Sequence, residues 1–124
     1  MTRINLVDPS ELHTKHLVAE YREIVRVFSL VRKCQNEIHK VTIPDHYKLG
    51  TNHVKFFYDK LAFVSDRYDS LCEEMTTRNF SFSRISKDDL LKGIDKHLIR
   101  AYTPTVDALK INRERIADRM PKQI

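Results

Sequence analysis

A chain of 124 residues, 41% of them hydrophobic, is long enough for one domain with one core and too short for two. Its 22 Lys and Arg against 17 Asp and Glu leave a formal charge of +5, which favours an anionic partner, nucleic acid or an anionic membrane surface, without choosing between them. The two glycines leave no room for a Walker loop or a GxGxxG turn, and His13, His16, His39, His46, His53 and His97 are scattered outside any metal-ligand motif, so neither a nucleotide cofactor nor a metal is expected.

Asp8-Pro9-Ser10-Glu11 carries the signals of a helix start: a capping Asp, Pro in the first turn and Glu three positions on. The helix that follows runs for about 25 residues, with Leu17, Tyr21, Ile24, Phe28 and Val31 on one face at about 100° per residue. From Gln35 to Gly50 the periodicity is lost, Pro44 interrupts, and Leu49-Gly50-Thr51-Asn52 leads into a second helix from about Asn52 to Arg78. Val54, Phe57, Leu61, Val64, Tyr68, Leu71 and Met75 give that helix a continuous apolar face, which should pack along the first. After the break at Asn79–Ser83, Ser86-Lys87-Asp88-Asp89 opens a short helix through about Ile99. Thr103-Pro104 starts the last helix, with Val106, Leu109, Ile116 and Met120 as its apolar stripe and Lys110, Arg113, Arg115 and Arg119 as its charge. The expected architecture is all-α: a single domain over residues 1–124, with three main helices and a short additional one.

Cys34 and Cys72 form no CxxC pair and fall inside predicted helices, as reduced structural thiols do. No apolar run approaches the roughly 18 residues that span a bilayer, and no basic-then-apolar leader is present, so a soluble cytoplasmic protein without a membrane partner is expected.

On the first helix Lys15, Arg22, Arg26 and Lys33 lie within roughly 40° of one another, a line suited to phosphates or, equally, to a solvated face with Glu partners. Glu23 and His16 fall between that line and the core face, with the small Ala19 one turn before Glu23. A carboxylate there either pairs with Arg22 or Arg26 or moves protons at an anionic substrate that they hold. Thr2 is small enough for removal of Met1 to be expected, and its free amine, with a pKa of about 7.7–8.0 against about 10.4 for Lys, is then a nucleophile near neutrality.

Met1-Thr2-Arg3-Ile4-Asn5-Leu6, His16-Leu17-Val18-Ala19-Glu20-Tyr21-Arg22-Glu23 and Arg26-Val27-Phe28 resemble the phage and viral pyrimidine-dimer DNA glycosylases. A further block, Leu49-Gly50-Thr51-Asn52-His53-Val54-Lys55-Phe56-Phe57-Tyr58-Asp59-Lys60-Leu61, is similar to that family's second helix; the likeness weakens between Gln35 and Ile43 and after Phe82. The resemblance implies a compact helical domain whose N-terminal segment runs beside the first and last helices and brings Thr2 to Glu23. It also implies a DNA-repair enzyme, acting as a monomer on damaged double-stranded DNA without cofactor, in which Thr2 and Glu23 are catalytic. The Thr2 amine displaces the damaged pyrimidine from its sugar, and the Schiff base so formed permits β-elimination at the abasic site. Glu23 transfers protons and steadies the cationic sugar. Arg22 and Arg26 hold the kinked backbone, and Arg3 and His16 make further contacts. Among the last-helix arginines, Arg115 is the foremost candidate for a phosphate contact, ahead of Arg113 and Arg119.

Three departures mark the chain. It ends Met120-Pro121-Lys122-Gln123-Ile124 without the aromatic and basic tail of the relatives, Asn52 replaces their usual Gly, and Lys15 replaces an amide. The first of these bears on recognition of the dimer more than on lyase chemistry. The rival readings are an abasic-site lyase or a glycosylase for another damaged base using Thr2 and Glu23, and a noncatalytic DNA-binding helical module using the basic line alone.

Overall fold

A computed structural model describes residues 3–120, and its regular structure there is helical throughout, as the apolar periodicity requires. Helices α1 (Thr14–Glu23) and α2 (Val25–Cys34) follow one path: Ile24 between them keeps helical angles, φ −59° and ψ −32°, and its N–H bonds to the Glu20 carbonyl at 2.9 Å. Helix α3 (Leu61–Thr77) packs across α1, the five-residue α4 (Lys87–Leu91) packs on α2 and α3, and α5 (Val106–Asp118) closes the chain. No helix among the described residues is long and apolar enough to cross a membrane.

The predicted faces form the core. Leu17, Ile24, Phe28 and Val31 of the first face and Phe57, Leu61, Val64, Tyr68, Leu71 and Met75 of the second are buried together, each side chain contributing about 1.5–3 kcal/mol. Tyr21 is half-buried at the edge of that core; its ring stacks on Tyr68 and its hydroxyl donates to the Ser83 carbonyl. Cys34 and Cys72 are free thiols.

The helix boundaries differ from those expected, each for a local reason. Asp8 does cap a turn, accepting from Ser10 N–H at 2.9 Å, but that turn is only the 3-10 segment Pro9–Glu11. The α-helix waits for His13, whose Nδ1 accepts from Lys15 N–H at 3.1 Å. Glu11 does not close a capping box; it meets Arg113 at 3.2 Å. At the second helix, a 3-10 turn at Val54–Phe57 comes first and α3 begins at Leu61, because Lys60, with φ −128° and ψ 40°, leaves the helical region. The expected helix through Ile99 stops at Leu91, and a 3-10 turn at Lys96–Leu98 follows Gly93, whose φ of +76° ends any helix. Arg32 and Gln35 of the first helical path hold this return, Arg32 donating to the Lys92 carbonyl at 2.7 Å and Gln35 to that of Gly93 at 2.7 Å.

The last helix is capped by Thr105, which accepts from Ala108 N–H at 3.0 Å, rather than started by Thr103-Pro104. Its expected stripe holds in part: Leu109 and Ile116 pack against the core, but Val106 is 84% and Met120 46% exposed, and Ala108 and Asn112 are buried in their stead.

The segment before the first turn runs through the interior without belonging to a helix or strand. Ile4, Asn5, Leu6 and Val7 are all buried, so their backbone groups need partners that a ladder does not supply. Side chains supply them. Ile4 N–H donates to His53 Nε2 at 3.0 Å, and the Ile4 carbonyl accepts from the Tyr47 hydroxyl at 3.3 Å. Asn112 Oδ1 accepts from Leu6 N–H at 2.7 Å and Val7 N–H at 3.1 Å, and Arg67 donates to the Val7 carbonyl.

Candidate active site

The segment fixed in this way delivers Arg3 and Asn5 to a pocket of about 160 Å³ whose other walls are His16, Ala19, Glu20 and Glu23 of α1, Ile116 of α5 and the succeeding Arg119. Helix periodicity explains the α1 wall, since residues three and four apart lie one above another and Ala19 leaves open the space that a larger side chain would fill.

Two carboxylates therefore line one pocket, in different states of engagement. Glu20 is locked: Arg67 donates to it twice, at 2.8 and 3.1 Å, and Asn5 donates at 2.7 Å, so the buried charge is fully paired. Glu23 has no hydrogen-bond partner among the described residues and stands near enough to Arg3 to stabilise its charge. Of the two carboxylates, Glu23 is thus the one whose oxygens, among the described residues, are left to a ligand.

Positive charge converges on the same place. Burial first, then the neighbouring Arg115 and Arg119, pull the Arg3 guanidinium below its ordinary pKa, while Tyr47 and Glu23 oppose them. An arginine remains charged through such a shift, so the crowding amounts to an unmet demand for an anion. Arg115 Nε is shielded from solvent and has no hydrogen-bond partner among the described residues. His16 donates from Nε2 to the Arg119 carbonyl at 2.9 Å, tying α1 to the end of α5, and its Nδ1 is likewise shielded and unpartnered among the described residues.

Of the residues singled out from sequence, Arg3, His16 and Glu23 come together in the pocket, and Arg115 stands close enough to act on Arg3 without forming the wall. Arg22 and Arg26 do not line it. Both are exposed, Arg26 at the rim of a separate hollow between α2 and α4, and with Lys15 and Lys33 they carry no ion pair among the described residues. The line is therefore a solvated face, but one without Glu partners among the described residues. Arg113, by contrast, is paired to Glu11. Thr2 falls outside the described residues.

Asn5, Glu20, Arg67, His53 and Asn112 escaped the sequence reading, although three of them left a trace. Glu20 lies three residues after Leu17 and four before Ile24, Arg67 three after Val64 and four before Leu71, and Asn112 four after Ala108 and four before Ile116. A polar residue in register with an apolar stripe is either misplaced or paired in the interior, and all three are paired. A protein-family model described as pyrimidine dimer DNA glycosylase matches residues 1–88, a span that holds Arg3, His16, Arg22, Glu23 and Arg26 and ends before the α5 arginines.

Proposed function

The chain belongs to the pyrimidine dimer DNA glycosylase family, and from that premise we propose that it excises the dimer and then nicks the strand, with the α-amine of Thr2 as nucleophile once Met1 is removed. DNA is the substrate class of the family, and excision of pyrimidine dimers its repair activity. The amine nitrogen attacks C1′ of the damaged nucleotide, the glycosidic C1′–N bond breaks, and the pyrimidine leaves with the bonding electrons and a proton. Opening of the sugar ring gives an iminium at C1′. Loss of a proton from C2′ then expels the 3′ phosphate by breaking the C3′–O bond, and water hydrolyses the imine to free the amine.

Glu23 fits the proton transfers and the steadying of the cationic sugar, because it is the carboxylate of the pocket that is not already committed. Arg3, Arg115 and His16 fit the phosphates flanking the lesion, the guanidiniums as multidentate donors already crowded into an anion-seeking cluster. Arg22 and Arg26, exposed and unpaired, fit the backbone of a duplex bent to let a nucleotide leave the stack.

The observation that carries this reading is one pocket combining an uncommitted carboxylate, converging arginines and the N-terminal segment that follows Thr2. Its test is a nicking assay on two end-labelled duplexes, one with a cyclobutane dimer and one with an abasic site. Cleavage of both at the lesion is expected. Cleavage of the abasic duplex alone reduces the activity to a lyase, and cleavage of neither leaves a binding module.

A further inference from the structure

His53 is 4% exposed and does not line the pocket, and both of its ring nitrogens are engaged. A carbonyl only accepts, so the 2.7 Å contact to Lys48 O puts the proton on Nδ1; an amide N–H only donates, so the 3.0 Å contact from Ile4 makes Nε2 the acceptor. The ring is thereby fixed as one neutral tautomer. Tyr47 and Phe57 pack edge-on to it, with ring centroids at 5.4 and 5.7 Å, and the left-handed residues Gly50 and Asn52 turn the preceding loop so that Lys48 O and the ring meet.

We infer that His53 is a positioning residue for the nucleophile: by accepting the Ile4 N–H it sets how far the N-terminal segment reaches toward Glu23. This rests on the proposed role of the Thr2 amine. Only Arg3 separates Thr2 from Ile4, two residue steps that span about 7 Å even when fully extended, so slack at Ile4 passes almost undiminished to the terminus. An attacking atom must sit within about 3–3.5 Å of its target, and displacement of about 1 Å costs on the order of a hundredfold in rate. Substrate binding depends less on this bond, because of the binding arginines only Arg3 adjoins Ile4, while Arg22, Arg26 and Arg115 stand on other elements.

The same bond gives the site an acid limb. Protonation of Nε2 replaces the acceptor with a donor facing the Ile4 N–H, and breaks the anchor. Burial chiefly, with Arg3 and Arg115 adding to it, holds the His53 pKa below its ordinary value; the Lys48 carbonyl and Glu20 oppose them. A histidine depressed in the folded state keeps its neutral, anchoring form above the unfolded value of about 6.5, and the stability it contributes is lost as the pH falls through the folded value.

The test compares wild type with His53→Leu, which removes the acceptor, and His53→Gln, whose side-chain oxygen restores one that does not titrate. Three quantities are read: the single-turnover rate of borohydride-trappable adduct on an abasic duplex, the Kd for a duplex with an uncleavable tetrahydrofuran site, and the Ile4 amide resonance of ¹⁵N-labelled protein. The expected result is a trapping rate at least about tenfold lower in His53→Leu, with Kd changed by less than about threefold and the Ile4 amide shifted. Protonation of the Thr2 amine slows wild type and variants alike as the pH falls; His53→Gln recovers most of the rate and lacks only the further fall that wild type shows at a pH below the ordinary histidine value. A folded His53→Leu with the wild-type rate, or a His53→Gln whose rate falls with acid as steeply as wild type over the whole range below the ordinary histidine value, overturns the inference. Should His53→Leu not fold, the pH profile of His53→Gln decides alone. A wild type that never traps while its Ile4 amide shows the bond intact overturns the Thr2 reading instead, and the positioning role with it.

Discussion

At the scale of single residues, the proposed chemistry depends on two carboxylates of one pocket being unlike. Glu20 accepts three hydrogen bonds and its charge is committed to Arg67, while Glu23 is uncommitted beside Arg3. Glu23→Gln keeps the size of the side chain and removes its charge and basicity, so strand cleavage is expected to fall by roughly 10²–10⁴. Binding to an uncleavable abasic duplex should hold within about threefold, because the lost charge is one that repels phosphate. Equal loss of binding and cleavage would make Glu23 a structural partner of Arg3. Arg67→Met leaves the Glu20 charge buried with Asn5 as its remaining donor, and is expected to cost about 3–5 kcal/mol in urea unfolding. Adding Glu20→Leu should recover part of that loss, since the stranded charge, rather than the missing attraction, is the larger penalty.

At the scale of elements, the loop between Leu49 and His53 shows how a departure in sequence is accommodated. Asn52, in place of the Gly that the family resemblance leads one to expect, has a φ of +69°, in the left-handed region that Gly enters freely and Asn tolerates best among other residues. Asn52→Gly should therefore leave thermal stability nearly unchanged, while Asn52→Val, β-branched, should lose about 1–2 kcal/mol and weaken the His53 anchor that follows. Stability equal to wild type in Asn52→Val would mean that the turn is not held in this conformation. The apolar faces of α1, α2 and α3 were legible because burial imposes a period of 3.6 on a local stretch, whatever lies opposite. Helix ends were less so: Asp8 and Thr103-Pro104 are good local start signals, but His13 and Thr105 take the caps where the chain turns into contact with the core. The α5 stripe was legible at Leu109 and Ile116 but not at its ends, because this helix buries Asn112 to serve the N-terminal segment, and an asparagine carries no hydrophobic signature.

The polar network was the least legible part of the site, and for the same reason. Ile4 with His53, Leu6 with Asn112 and Glu20 with Arg67 are pairs 49, 106 and 47 residues apart, which no window along the chain connects. What the sequence does carry, in Arg3, His16 and Glu23, is what one short helix and the segment before it bring together.

At the scale of the whole molecule, a charge of +5 is distributed unevenly in its consequences. Lys15, Arg22, Arg26 and Lys33 project from the first helical path without acid partners among the described residues, whereas Arg113 spends its charge on Glu11. Binding to duplex DNA should therefore weaken steeply with salt, and Arg22→Gln or Arg26→Gln should each flatten the slope of log K against log salt by about 1. The two substitutions should weaken damaged and undamaged duplexes alike, and Arg113→Gln should leave the slope as it is. A slope insensitive to Arg22 and Arg26 would remove that line from the DNA interface.

The central claim, that the N-terminal amine forms the covalent intermediate, is tested most directly by borohydride reduction of the protein on dimer-containing and abasic duplexes, followed by mass mapping of the adduct. The account predicts a single adduct on each duplex, located at the α-amine of Thr2 in protein lacking Met1, and none after acetylation of that amine. An adduct on a lysine side chain, or cleavage that continues after acetylation, would contradict it.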